Sequence, residues 1–389
     1  MRFQKLVFFI CFCCLSLQLA GESAPHKQKI CLNMIVKDES AVIKRALNSV
    51  LPIVDYWVIV DTGSTDGTQQ IIQDFMKEKN LPGELFERGW VNFEHNRNEA
   101  LQLAKGKSDY ILFLDADDVF AFDKNFICPD LDKDYYYIPI QYDGYEYSRI
   151  MLIKQNLDWN WVGALHEVLV AKPAYSFSKL NQIHCVVSTE GMRSKNPQKY
   201  QEDIKVMKRE LEKNPNNKRN VFYLAQSYRD SENYPEALKY YEKRVAMGGW
   251  EEEVFYSLYQ IANIQKALDM PSETVIESYN RAYEFRKSRI EPLFKLAQIE
   301  NNRKNYAKAY EITKLALDTP PTSDVLFVEK WLYDYGLLIE LSVSAYWLDN
   351  FEECKRISEK LLENELPEEI KALVEKNLAF ANGKLLKKD

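Results

Sequence analysis

The chain offers little from which to build a disulfide framework. It has seven cysteines, and Cys11, Cys13 and Cys14 fall inside one N-terminal apolar run. Cys31, Cys128, Cys185 and Cys354 lie far apart, in no spacing that would hold a metal. Cys31 and Cys185 sit in apolar, strand-like runs and read as buried, inert thiols. Positive charge is not in excess either. Lys and Arg number 51 against 58 Asp and Glu, a net charge of −7, which argues against a nucleic-acid partner. Long hydrophobic runs are lacking too. Leu6 to Ala20, interrupted by Ser16 and Gln18, falls short of the roughly 20 residues of an ordinary membrane span. With Arg2 and Lys5 before it, the run reads as a secretory signal cut after Ala20. Gln18 makes a poor cleavage site, so an uncleaved anchor stays open. What is present is ordinary for globular protein: 46% apolar and 28% charged residues, with 24 tyrosines, many of them in the C-terminal half.

The pattern divides the chain into 1–28 as signal or anchor, 29–197 as an α/β domain, and 198–389 as an all-α domain. Ile30 to Val36 is an apolar run of the kind a parallel strand needs when both its faces are covered. Asp38 is expected to N-cap a helix whose apolar positions are Val42, Ile43, Ala46, Leu47 and Val50. Tyr56–Val60, Gly83–Glu87 and Tyr110–Leu114 read as further strands, with helices at 68–79 and 96–105. This rhythm implies right-handed βαβ units and a parallel sheet. After Asp118 come shorter strands at 135–141, 148–153 and 164–171, read as antiparallel additions. Beyond 198 the small residues Ala225, Ala262 and Ala297 recur at spacings of 37 and 35. These bracket the roughly 34 residues of a tetratricopeptide repeat. An irregular helical bundle is the alternative.

Chemistry-bearing residues gather at the expected strand ends, where open α/β sheets bind ligands. Asp115, Asp117 and Asp118 follow the fourth strand. Carboxylates so crowded are costly unless they hold a cation or are well solvated. Their hard oxygens suit Mg²⁺ or Mn²⁺, and a solvated acidic turn is the alternative. In Asp61-Thr-Gly-Ser-Thr-Asp66-Gly-Thr68, Asp66 and the hydroxyls suffice as a helix cap. Asp61 ends the strand and is placed to accept a hydrogen bond from a nucleobase or ribose. Arg97, read as opening a helix, needs an anion nearby, since a cation there opposes the helix dipole. A nucleotide diphosphate or Asp115 would supply one; a plain surface arginine is the alternative.

Asn33-Met-Ile-Val-Lys-Asp-Glu39, the Asp61 segment, Asn96-Arg97-Asn98 and Leu114-Asp115-Ala-Asp117-Asp118 occur in this order along the chain. Together they resemble the family 2 glycosyltransferases of GT-A fold, in particular members with tetratricopeptide repeats after the catalytic domain. The resemblance implies an inverting transfer from a nucleotide-diphospho-sugar such as a UDP-hexose. By position, Asp61 would bind the base, Arg97 would support the nucleotide pocket, and Asp115 would touch ribose or metal. Asp117 would hold the divalent cation that bridges the diphosphate. Trp161-Val-Gly-Ala-Leu-His166-Glu167-Val resembles the His-Glu segment of these relatives and makes Glu167 the expected general base. His166 is the second choice, with Asp118 and Asp143 as rival carboxylates. By the same resemblance His184 is a candidate third metal ligand. Arg193, Lys195 and Lys199 follow on a loop placed to close over the phosphates, with a solvated basic linker as the alternative.

Three functional readings follow. The first is a glycosyltransferase whose repeats grip a protein, peptide or glycan acceptor. The second is an inactive, glycosyltransferase-like scaffold whose repeats bind a partner. The third, a nucleotidyltransferase, wants a glycine-rich basic loop after its first strand, and Asn33–Glu39 has none. The N-terminal segment predicts a secretory or membrane-anchored protein, or a cytoplasmic one if the start is misassigned.

Overall fold

In the computed structural model, which describes residues 28–142, 145–172 and 176–386, the apolar run Ile30–Val36 forms strand β1. Only Ile35 escapes full burial, as a strand covered on both faces requires. The expected N-terminal signal and Asp143 lie outside the described residues. Around β1 stand β2 (Tyr56–Asp61), β3 (Gly83–Glu87) and β4 (Tyr110–Phe113), parallel in the order β3-β2-β1-β4. Beyond β4 the sheet turns mixed. β7 (Tyr145–Lys154) runs antiparallel to β4 and to β6 (Tyr135–Tyr142). β11 (Ile183–Val186) then joins β6 to β5 (Val119–Phe122), and β10 (Phe177–Lys179) edges β6. The parallel half with later antiparallel additions agrees with the GT-A-type sheet expected from the sequence.

One face is covered by α1 (Ile43–Val50) and α2 (Thr68–Glu78) through Ile43, Leu47, Val50, Ile72 and Met76. The other is covered by α3 (Phe93–Ala104), whose Leu101 and Ala104 pack on Cys31, Val58 and Ile111. Asn33 fastens this layer. Its buried amide donates to the carbonyls of Val58 (3.2 Å) and Ala100 (2.9 Å). Two sequence expectations shift here. Helix α1 begins at Ile43, not after Asp38, because Asp38 is left-handed (φ 55°) and its carboxylate accepts from the Thr65 amide instead. Helix α3 begins at Phe93, capped by Asn92, so Arg97 sits in the second turn and does not open the helix.

A separate hairpin, β8 (Trp159–Val162) with β9 (Val168–Ala171), replaces the single strand expected over 164–171. Gly163 (φ 117°) and His166 (φ 52°) turn the chain there, and neither conformation fits an extended strand.

Helices follow without interruption by strands: α4 (Lys199–Lys213), α5 (Lys218–Asp230), α6 (Tyr234–Met247), α7 (Glu251–Ala267), α8 (Ser272–Phe285), α9 (Glu291–Asn302), α10 (Tyr306–Leu317), α11 (Leu337–Trp347), α12 (Phe351–Leu362) and α13 (Glu368–Leu385). Ala225, Ala262 and Ala297, on α5, α7 and α9, are all fully buried, as the close approach of paired helices demands. Among the described residues no helix is long and apolar enough to cross a membrane.

Candidate active site

The loops after β1 and β2 are laced together. Ser64 Oγ accepts from the Asp38 amide (2.8 Å), Thr68 Oγ1 from the Glu39 amide (2.9 Å), and Asp66 Oδ2 from the Ser40 amide (2.9 Å). The small hydroxylated segment after β2 thus holds Glu39 at the strand ends. Asp61 ends β2 and is 1% exposed. Its Oδ1 accepts from the amides of Gly63 (2.9 Å) and Ser64 (2.8 Å) and from Gln69 Nε2 (3.1 Å). Its Oδ2 is buried without a hydrogen-bond partner among the described residues. Neighbouring Thr62, not Asp61, lines the cavity described below.

Past β4, the chain bends so that Asp118 N–H donates to the Asp115 carbonyl (3.2 Å), and the acidic side chains fan out. Asp115 accepts from Arg97 Nη2 at 2.5 Å and from Arg149 Nη2 at 3.4 Å. Burial alone would raise its pKa; the two guanidiniums outweigh that and hold the carboxyl well below the usual range. Arg97 uses its Nε for Glu167 and lies over the Trp161 ring at 5.0 Å. One largely buried cation therefore bridges a carboxylate from the sheet and another from the β8–β9 turn. Asn96 and Asn98 flank it with structural work. Asn96 ties the amide of Val91 to the carbonyl of Gly89, and Asn98 exchanges two 2.8 Å hydrogen bonds with the Trp161 backbone.

Asp117 is treated differently. No Lys or Arg among the described residues lies within ion-pair distance of its carboxylate. Burial and then Asp115 push its pKa up. Opposite it stands Gly191, where a Cβ would come within 2.4 Å of Asp117 Oδ2. Asp118, 3% exposed, accepts from the Ser188 amide (3.2 Å) and is pushed up to about 7, chiefly by burial and then by Asp115. Glu39 accepts from the Met192 amide at 3.3 and 3.4 Å; burial, followed by Asp117, pushes it up to about 7.

These groups face one cavity of about 880 Å³. Glu39, Arg97, Asp115, Asp117, Arg149 and Glu167 line its sheet side. Arg193, Lys195 and Lys199 line the segment that crosses to the helices, and Tyr200, Gln226 and Asp230 form the helical wall. Of the residues expected from the sequence, Arg97, Asp115, Asp117 and Glu167 line this one cavity, and Asp61 lies just off its surface. His184 is the exception. Successive strand residues face opposite sides, and Cys185 points its thiol at Asp118 (3.7 Å). His184 therefore turns away from the acidic cluster, its closest carboxylate Asp123 at 3.9 Å. It does not line the cavity that Asp117 faces. Arg149 was missed in the sequence, although a cation directly before the apolar run Ile150–Ile153 was its visible signal.

Residues 31–127 match the family described as glycosyl transferase family 2. A 91-residue stretch is 37% identical to a TPR repeat-containing protein of Synechococcus elongatus, covering 23% of this chain and 21% of that one. Another 91-residue match, at 35% identity, is to an uncharacterized glycosyltransferase of Rickettsia felis, over 23% of this chain and 29% of that one. The chain thus spans less than a third of the length of these curated relatives. Its fold also shows likeness to a tetratricopeptide repeat protein from Parabacteroides merdae (TM-score 0.38, 17% identity, 49% of this chain and 69% of that one). Residues 31–127 are thus similar to a family 2 glycosyltransferase domain, and paired helices follow it.

Proposed function

We propose that this glycosyltransferase family 2 domain is catalytically active and transfers a hexose from a UDP-sugar to a protein, peptide or glycan acceptor, with inversion at the anomeric carbon. One observation carries the reading. Asp117 and Glu39 face a shared cavity with no Lys or Arg of the described residues within ion-pair distance, whereas nearby Asp115 is doubly paired. Uncompensated buried carboxylates are costly, and a bound divalent ion removes that cost.

The donor set suits such an ion. Asp117 offers a hard oxygen, burial and then Asp115 push its pKa up, and Gly191 opposite it carries no side chain. Among the described residues no three His, Cys, Asp or Glu converge into a ready-made metal cluster. Mg²⁺ is commonly held by one or two carboxylates completed by substrate phosphates, and Asp117 fits that mode. Bound there, the cation would stabilise negative charge developing on the departing diphosphate.

The chain's own groups supply the rest. Asp61 Oδ2, buried without a partner, is available to an N–H or O–H of the nucleoside. Arg97 holds Asp115 in place. Glu167 takes the proton of the acceptor's hydroxyl, amine or thiol as that atom bonds to the anomeric carbon. The carbon's bond to the diphosphate oxygen breaks, and the electron pair leaves with UDP. The helical wall offers the acceptor side.

Calorimetry with a panel of UDP-sugars, with and without Mn²⁺, tests this. Binding should require Mn²⁺ and weaken at least roughly tenfold in Asp117→Asn, with the melting temperature unchanged or raised. Absence of binding to every donor in the panel would refute the catalytic reading.

A further inference from the structure

The β8–β9 turn is gripped from both parts of the molecule. On the sheet side, Glu94 accepts from the Gly163 amide (2.8 Å) and Asn98 clamps Trp161. Three residues later the turn enters the helices. Leu165, 7% exposed, packs in the same apolar cluster as Ile204, Met207, Val221 and Leu224. The His166 ring stacks on Tyr223 of α5 at 3.9 Å and 7°. Arg219, one helical turn before Tyr223, donates twice to the His166 carbonyl (3.2 and 3.0 Å) and lies over the Tyr223 ring at 4.8 Å. Glu167, the next residue, points back to Arg97.

His166 is left-handed, with φ 52°. For a residue with a Cβ that conformation is uncommon and persists only where surroundings over-determine it. Here the surroundings are Leu165 in the helical core, the Tyr223 ring and the Arg219 fork. The strain is useful in a specific way. It reverses the chain within one residue, so that Leu165 faces the helices while Glu167 faces the strand ends.

We propose that Arg219 and Tyr223 of the first helical repeat are positioning residues: by holding His166 left-handed they aim Glu167 at Arg97. The repeats then complete the site within the chain, a role separate from any grip on an acceptor. The inference rests on the glycosyltransferase reading for its catalytic consequence, though not for its geometry.

The test uses the full chain carrying Arg219→Ala, Tyr223→Leu or Tyr223→Phe. Arg219 is partly exposed, so Arg219→Ala keeps the test intact if Tyr223→Leu fails to fold. In Arg219→Ala, amide hydrogen exchange over residues 164–168 should quicken by about tenfold or more, while exchange in β1 and β4 stays as in the parent. Release of UDP from a UDP-sugar should fall by roughly tenfold or more, with the affinity for UDP and Mn²⁺ within about twofold of the parent. Tyr223→Phe keeps the ring face and should recover most of both signals. Unchanged exchange over 164–168 in Arg219→Ala would overturn the proposal, and so would a loss of turnover that comes wholly from weaker UDP binding. If the parent turns over no UDP-sugar, it is the glycosyltransferase reading that fails; the exchange measurement still decides the positional claim.

Discussion

Replacing Arg97 with Met tests the electrostatics at the centre of the site. The side chains of Arg97 and Glu167 are 11% and 10% exposed, and that of Asp115 is 32% exposed. Methionine keeps most of the contact with Trp161 but strands two carboxylates. Breaking a buried ion pair by removing one partner costs about 3–5 kcal/mol. Asp115 retains Arg149 at 3.4 Å and some water, so the expected loss lies near the lower end, about 3 kcal/mol at pH 8. The pH dependence is distinctive. In the parent, Asp115 is held below its ordinary value. Its contribution to stability is therefore complete above about pH 4 and is lost only below that. In Arg97→Met, burial loses its main counterweight, and the Asp115 carboxyl binds its proton at higher pH. Its penalty is largest when it is ionised and is relieved as pH falls. The gap in unfolding free energy between parent and variant should thus shrink from about pH 8 to about pH 5. Urea unfolding followed by tryptophan fluorescence measures it. A loss below about 1 kcal/mol, or a gap that does not change with pH, would refute the view that Arg97 neutralises two carboxylates at once.

Two further expectations follow. Gly191→Ala places a methyl group 2.4 Å from Asp117 Oδ2, so the carboxylate must move. Mn²⁺ should then half-saturate UDP binding at a concentration several times higher, with a melting temperature near the parent's; an unchanged Mn²⁺ dependence would count against Asp117 as ligand. Glu39 and Asp118 are both pushed up to about 7, so the folded chain binds protons that the unfolded chain has released. Stability without metal should fall as pH rises from about 4 through 7. Differential scanning fluorimetry should show a lower melting temperature at pH 8 than at pH 5.5, and a flat profile would contradict the burial of these carboxyls.

The strand-and-helix rhythm was legible because β1, β2 and β4 are mostly apolar, the pattern of a parallel sheet covered on both faces. The acidic residues after β4 were legible for the same reason: a strand end is a place that can be read from sequence. What lay hidden depended on contacts distant along the chain. Glu39 belonged to a recognised motif, yet its raised pKa comes from burial and from Asp117, which is not its neighbour in sequence. The hydroxyls after Asp61 read as a helix cap, while the structure spends Ser64 and Thr68 mostly on the loop after β1. His184 misled because histidine is a metal ligand by type, and facing cannot be fixed until the register of β11 on β5 is known. The turn at Ala164–Glu167 does not match the expected strand because nothing local in Leu165 or His166 announces partners about forty to sixty residues later.

Leu165 also bears on any attempt to shuffle this protein's parts. A cut between β11 and α4 looks clean on paper, since it falls between two kinds of secondary structure. It would leave an apolar side chain protruding into water from one fragment and open a socket among Ile204, Met207 and Val221 in the other. A chimera that borrows these helices for another transferase has to bring the 163–167 turn along with them, or reshape the socket to suit its host.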